Sequence, residues 1–201
     1  MLPERAQDVL TYWFEGVDQT PEYFRKRNRI WFMGGKAVDD FIASAFSKDV
    51  EEAASGLLRH WGNTPEGNLA LILLLDQFSL NIYRDSARGY LHSELSLPIA
   101  KDALNAGWAS KLSLAKRIFL YMPFEHSEHM EDQIESVKLF AELAESSPPE
   151  LSETMKGYLE FAKRHYQVVK EFGRFPHRNA ALRRESSAEE RKFLSSGRAP
   201  F

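Results

Sequence analysis

Apolar residues in this chain recur every three or four positions, and no segment keeps up the apolar–polar alternation of a half-buried strand. That period restricts the chain to helices, and capping residues, prolines and glycines mark where they start and stop. Pro3 and Pro21 suit first-turn positions, the second behind the cap residue Thr20, which predicts helices over 4–15 and 21–32 with Gly16 closing the first. Gly34-Gly35 breaks the pattern, and two helices are expected from 36 to 61. Thr64-Pro65-Glu66 opens a long helix to Arg84, and a further one over 97–106 stops at Gly107. Ser113 caps a short helix ending before Pro123, and Ser127 starts another that runs to Glu145. After the turn Ser146-Ser147-Pro148-Pro149, a helix over 150–172 is closed by Gly173. Ser186-x-x-Glu189 and Ser187-x-x-Glu190 both read as capping boxes for a terminal helix. The expected class is all-α: an irregular, tetratricopeptide-like stack of about ten helices in antiparallel hairpins. No tryptophan, glycine and tyrosine recur at the period of roughly 34 residues that a regular repeat of that kind requires.

With 201 residues, 43% hydrophobic and 27% charged, the composition is that of a globular, soluble protein, and one domain over 1–201 is expected. Cysteine is absent, which excludes disulfides, thiolate chemistry and every cysteine-containing metal site. The longest apolar run, Leu69 to Leu75, is far short of the roughly 20 residues of a membrane span. Met1-Leu2-Pro3-Glu4-Arg5 lacks the apolar core of a secretory leader, so the expected location is the cytoplasm.

The net charge of −3 hides an asymmetry: residues 1–162 carry −9 and residues 163–201 carry +6. Between Glu125 and Glu153 nine carboxylates meet one cation, Lys138. A basic C-terminal segment, 173–201, folding back on an acidic helical body accounts for this better than nucleic-acid binding, and neither nucleic acid nor membrane is expected as a partner.

Polar side chains set into apolar helices single out the candidate site. Gln77, Asn81 and Arg84 are spaced to form one stripe, while Asp76 falls beside Leu69, Leu73 and Leu80 on a more apolar face. A carboxylate there requires a cation or several donors. Phe124-Glu125-His126-Ser127-Glu128-His129 follows Pro123, which should push Met122 to an extended conformation and make a helix junction whose free N–H groups suit an anion. His126 and His129 lack a third ligand at a recognised spacing, so neither a metal nor a cofactor is expected. His165 lies on the apolar stripe of the 150–172 helix and reads as a satisfied core histidine. Arg174-Phe175-Pro176-His177-Arg178-Asn179 gathers two guanidiniums, an imidazole and an amide suited to carboxylate or phosphate.

Leu74-Leu75-Asp76-Gln77-Phe78, Asn81-Ile82-Tyr83-Arg84, Phe119 to Glu128 and Phe172 to Asn179, in that order, resemble the domain-of-unknown-function family 924. The likeness runs from Tyr12-Trp13-Phe14 to Phe201 and implies a bacterial-type, all-helical fold of the tetratricopeptide-like class, with no activity attached. The chain departs from the family pattern at Ser79-Leu80, where Pro-Arg is usual, and at Arg183, where glycine is usual.

The expected function is binding of an acidic small molecule or peptide carboxylate in a polar pocket between helices. Asp76, Gln77 and Asn81 would orient it, and Arg84, Arg174 and Arg178, with Asn179 beside them, would neutralise it. The alternative is an enzyme at the same pocket, with Glu125 or His126 as general base and His177 as acid. A third reading is a purely structural polar network fixing the helix junctions of an interaction scaffold.

Overall fold

Every regular element is a helix in the computed structural model, which describes residues 2–197; the all-α class holds, with no strand among the described residues. Met1, part of the stretch read for a secretory leader, and Arg198 to Phe201, the end of the family likeness, lie outside the described residues. The chain divides into two compact units, one made of the chain up to Arg84 with Arg88–Pro123, the other of Asp85–Ala87 with the chain from Phe124.

The first unit contains α1 (Glu4–Phe14), α2 (Pro21–Met33), α3 (Gly35–Ala54) and a 3-10 turn at Arg59–Asn63. Then comes α4, which runs Pro65–Leu73, widens into a π turn at Leu74–Phe78 and ends on Ser79–Ile82. It is followed by α5 (Ala87–Asn105) and α6 (Leu114–Glu125), whose Phe124 and Glu125 belong to the second unit. Thr20 and Thr64 cap α2 and α4, accepting the N–H of Tyr23 at 3.3 Å and of Gly67 at 3.1 Å, with proline at each first helical position. The core is an aromatic cluster. Trp13 meets Phe78 and Phe119 edge-on at 5.2 and 5.5 Å between centroids, and Trp31 meets Phe119 at 4.8 Å. Such edge-to-face pairs add to the large area that each ring withdraws from water. The indole N–H of Trp31 donates to the carbonyl of Trp13 at 2.9 Å, so burying the ring strands no donor.

The second unit is built on α7 (Met130–Glu145) and α8 (Ser152–Phe172), joined by a short turn and a 3-10 turn at Pro149–Leu151. Phe140 and Tyr158 stack between them, 6.2 Å apart. Gly173, at φ 71°, ends α8 in the left-handed region that costs glycine least. A 3-10 turn at Pro176–Arg178 and α9 (Ala188–Ser195) complete the unit, over a small core of Val168, Val169, Phe175 and Phe193. Ser187 and Glu190 form the capping box of α9, while Ser186 instead accepts a hydrogen bond from Asn179 at 3.0 Å.

Several boundaries differ from the sequence expectations. The stretch 36–61 holds one α-helix and a 3-10 turn, not two helices, because α3 runs unbroken to Ala54. α5 begins at Ala87 and passes through Pro98, which is exposed together with Glu94 four residues back, so the carbonyl left without a donor can face water. α6 likewise continues through Pro123 to Glu125, and Met122 is helical rather than extended. One lost hydrogen bond in its last turn is outweighed by burying Phe119, Leu120, Met122 and Phe124. α7 starts at Met130, three residues later than the serine signal suggests, with His129 at its N-cap.

Phe78 is fully buried against Tyr12, Trp13 and Phe46, so Phe78→Ala should destabilise the protein by about 3–5 kcal/mol, read as a lower urea midpoint with an unchanged slope.

Candidate functional site

In the first unit the predicted polar stripe converges on a carboxylate. Asn81 donates to Asp39 at 2.6 Å, Arg84 forks onto both oxygens of Asp39 at 2.8 to 3.1 Å, and Gln77 donates to Asn81 at 2.9 Å. Asp76 is buried in the π turn and accepts the hydroxyl of Ser93. Glu51, which the sequence reading did not single out, accepts from Tyr83 and Arg88, whose guanidinium lies over the Tyr83 ring at 4.6 Å.

In the second unit the chain reversal after Pro123 is held by one amide. The buried Gln133 on α7 points its NH₂ at the carbonyls of Phe124, Glu125 and Ser127, at 3.3, 2.7 and 2.6 Å. The Phe124 and Glu125 carbonyls end α6 and have no donor within it, Ser127 lies in the loop beyond, and its own N–H also reaches the Phe124 carbonyl at 3.3 Å. The loop after Gly173 is fastened to the same reversal through Glu128. That carboxylate accepts the backbone N–H of Phe175 at 2.7 Å and a two-pronged contact from Arg184 at 2.6 and 2.9 Å. Burial alone would raise the Glu128 carboxyl; the Arg184 and Phe175 donors override it and hold it below the usual range. Arg174 is taken up by Glu190, at 2.7 and 2.9 Å, and holds that carboxyl down at about 2. Asn179 accepts from Arg184 at 3.0 Å and donates to Ser186. Arg183 adopts φ 54°, a left-handed conformation that strains an L-residue and suits the glycine of the family pattern.

With these residues engaged, the remaining predicted ones gather around Phe175. Arg178, 6% exposed, lies over the Phe175 ring at 4.4 Å, while His165 meets the ring edge-on at 5.5 Å and His177 lies at 5.7 Å. His126 stands 6.3 Å from His165, ring to ring. The Nδ1 of His165 is 2.9 Å from the carbonyl of Phe161 and 3.3 Å from a carboxylate oxygen of Glu125, which is 5% exposed. Two acceptors at Nδ1 assign the ring proton there and leave the lone pair on Nε2. Burial pushes His165 well below its ordinary range, assisted by the charge of Arg178. Burial and Arg178 also push His177 down, to about 4. Near pH 7 His177 is therefore the neutral imidazole rather than the imidazolium. Burial, with the Glu125 carboxylate beside it, raises the Tyr158 phenol well above its usual value.

Glu125, His126, His177 and Arg178 thus share one cluster with His165, expected as a core histidine on the apolar stripe of α8, and with Tyr158 of the same helix. The available signal was their spacing: Tyr158 and His165 are seven apart, on one helix face. Among the described residues no group of three His, Asp or Glu side chains could hold a metal ion, and no helix is long and apolar enough to cross a membrane.

Residues 9–198 match the family described as bacterial proteins of unknown function, DUF924. A solved structure of a protein of unknown function from Agrobacterium tumefaciens is 32% identical, with a TM-score of 0.79, and the alignment covers 96% of this chain and 98% of that one. No curated protein matches the chain.

Two outcomes follow from the geometry. Gln133→Leu removes the side-chain donor from the Glu125 and Ser127 carbonyls and should cost about 1–3 kcal/mol in urea unfolding. For His177 the folded pKa of about 4 lies below the ordinary 6.5, so the unfolded chain takes up the proton first on acidification. Stability should be level above pH 6.5 and fall toward pH 4, with His165 acting in the same direction, and His177→Asn should flatten that limb.

Proposed function

The chain belongs to the bacterial family DUF924, and from the geometry of its second unit we propose that it binds an acidic small molecule or peptide carboxylate at the Glu125–His126–His165–His177–Arg178 cluster. The observation that carries this reading is the buried guanidinium of Arg178, stacked on Phe175 beside two imidazoles that its charge helps keep neutral. A planar guanidinium in a site largely removed from water is the group best shaped for a carboxylate. An arriving anion reverses the field felt by His165 and His177, so binding draws protons onto them. Affinity then rises as pH falls.

The same cluster supports a second reading, acid–base catalysis, on one specific observation. Phe161 and Glu125 both face Nδ1 of His165, which orients the ring as a general base is oriented by its carboxylate. In that reading His165 takes the proton, and Arg178 stabilises developing negative charge.

A thermal-shift panel of small dicarboxylates, starting with succinate at pH 7.5 and 5.5, tests the proposal. Tighter binding at the lower pH is expected, with Arg178→Ala weakening it about tenfold or more and moving the melting temperature less. No carboxylate binding, together with a large loss of stability in Arg178→Ala, would leave only a structural network. Turnover of a bound carboxylate that His165→Asn abolishes without loss of affinity would favour the catalytic reading.

A further inference from the structure

A cleft of about 300 Å³ opens in the first unit, and none of the polar residues described above lines it. Its walls are Ala53 and Ala54 at the end of α3, Leu71 and Leu75 of α4, and Leu95 and Ile99 of α5, and they present almost no polar atom. Apolar surface continues outside it, for Leu95 is 45% exposed and Leu57, in the turn beside the mouth, is 68% exposed.

The remaining wall is the turn Gly56 to Arg59. Gly56 sits at φ 80°, and a Cβ placed there would come within 2.9 Å of Arg59 Nε and 3.3 Å of Nη2. The Arg59 guanidinium therefore lies folded across the bare Gly56 backbone, at the rim of the cleft. Among the described residues no carboxylate and no carbonyl receives its side chain, in contrast to Arg84, Arg88, Arg174 and Arg184, each of which has a carboxylate partner. An unneutralised cation at the edge of an apolar cavity complements a ligand with one anionic end and an apolar body.

We propose that this cleft binds a small apolar monocarboxylate, its hydrocarbon body between α3, α4 and α5 and its carboxylate forked onto Arg59. The volume stands at the lower end of the ~300–1,000 Å³ typical of ligand sites, which selects a short chain or a single ring rather than a long acyl chain. The site is independent of the Arg178 cluster: it needs neither histidine nor proton uptake.

Octanoate titrated into the full-length protein, with amide chemical shifts as the readout, is the test, and 1-octanol is the uncharged control. Saturable shifts confined to residues 53–59, 71–75 and 95–99 are expected, with octanol binding more weakly. Arg59→Gln, on an exposed side chain, should keep the melting temperature and weaken octanoate by about tenfold. Ala54→Phe, which fills the cleft while leaving Arg59 in place, should abolish binding. Equal affinity for octanol, an Arg59→Gln protein that binds as tightly as the parent, or shifts elsewhere in the chain would overturn the proposal.

Discussion

A helix that ends inside a protein leaves carbonyls that must find donors, and in the second unit one side chain meets that demand. The carboxamide of Gln133 stands at the carbonyls of Phe124, Glu125 and Ser127, where α6 gives way to α7. Pro123 leaves a separate gap one turn earlier, where the Phe119 carbonyl loses its helical donor. The backbone path fixed this way sets where Glu125 and His126 stand and aims Glu128 at the returning chain. Glu128 then accepts the Phe175 amide and the Arg184 guanidinium, which places the Arg174–Asn179 loop. The cluster around Phe175 thus rests on one neutral amide and one ion pair.

Electrostatically, that cluster keeps its charge low. A buried cation is costly unless it is paired or spread over polarisable surface, and Arg178 gains from the face of Phe175. The nearby imidazoles respond by staying neutral, so the number of buried positive charges does not grow with the number of basic groups. Glu190 shows the opposite device, a carboxylate locked in its charged form by Arg174. The two kinds of group titrate in separate windows, His177 at about 4 and Glu190 at about 2.

Much of the helical layout is legible from local chemistry. Thr20-Pro21, Thr64-Pro65, Gly173 and the Ser187–Glu190 box stand where helices begin or end, because each acts on backbone groups within four residues. Pro98 and Pro123 mislead for a related reason: their local penalty is real, but water at one and a buried apolar face at the other compensate it, and neither can be seen in a window of sequence. Side-chain roles were half legible. The stripe Gln77, Asn81, Arg84 was visible from its spacing, whereas its acceptor Asp39 lies 42 residues from Asn81. His165 was found as a histidine on an apolar face, but the approach of Glu125 to Nδ1 depends on packing between separate helices.

The π turn of α4 carries a consequence for how its two halves can vary. A turn that accommodates one extra residue shifts everything after it by about 100° around the helix axis relative to an uninterrupted α-helix. Ser79 secures that offset: its N–H reaches back to the Leu74 carbonyl, and its hydroxyl joins it at 3.1 Å, a pair of donors that a proline in the same place would lack. The apolar half Pro65–Leu73 and the polar end at Asn81 and Arg84 are therefore phased independently. Single-residue insertions or deletions between Leu74 and Phe78 act as a rotation of one half against the other, swinging Asn81 and Arg84 away from Asp39 while leaving the buried leucines where they are.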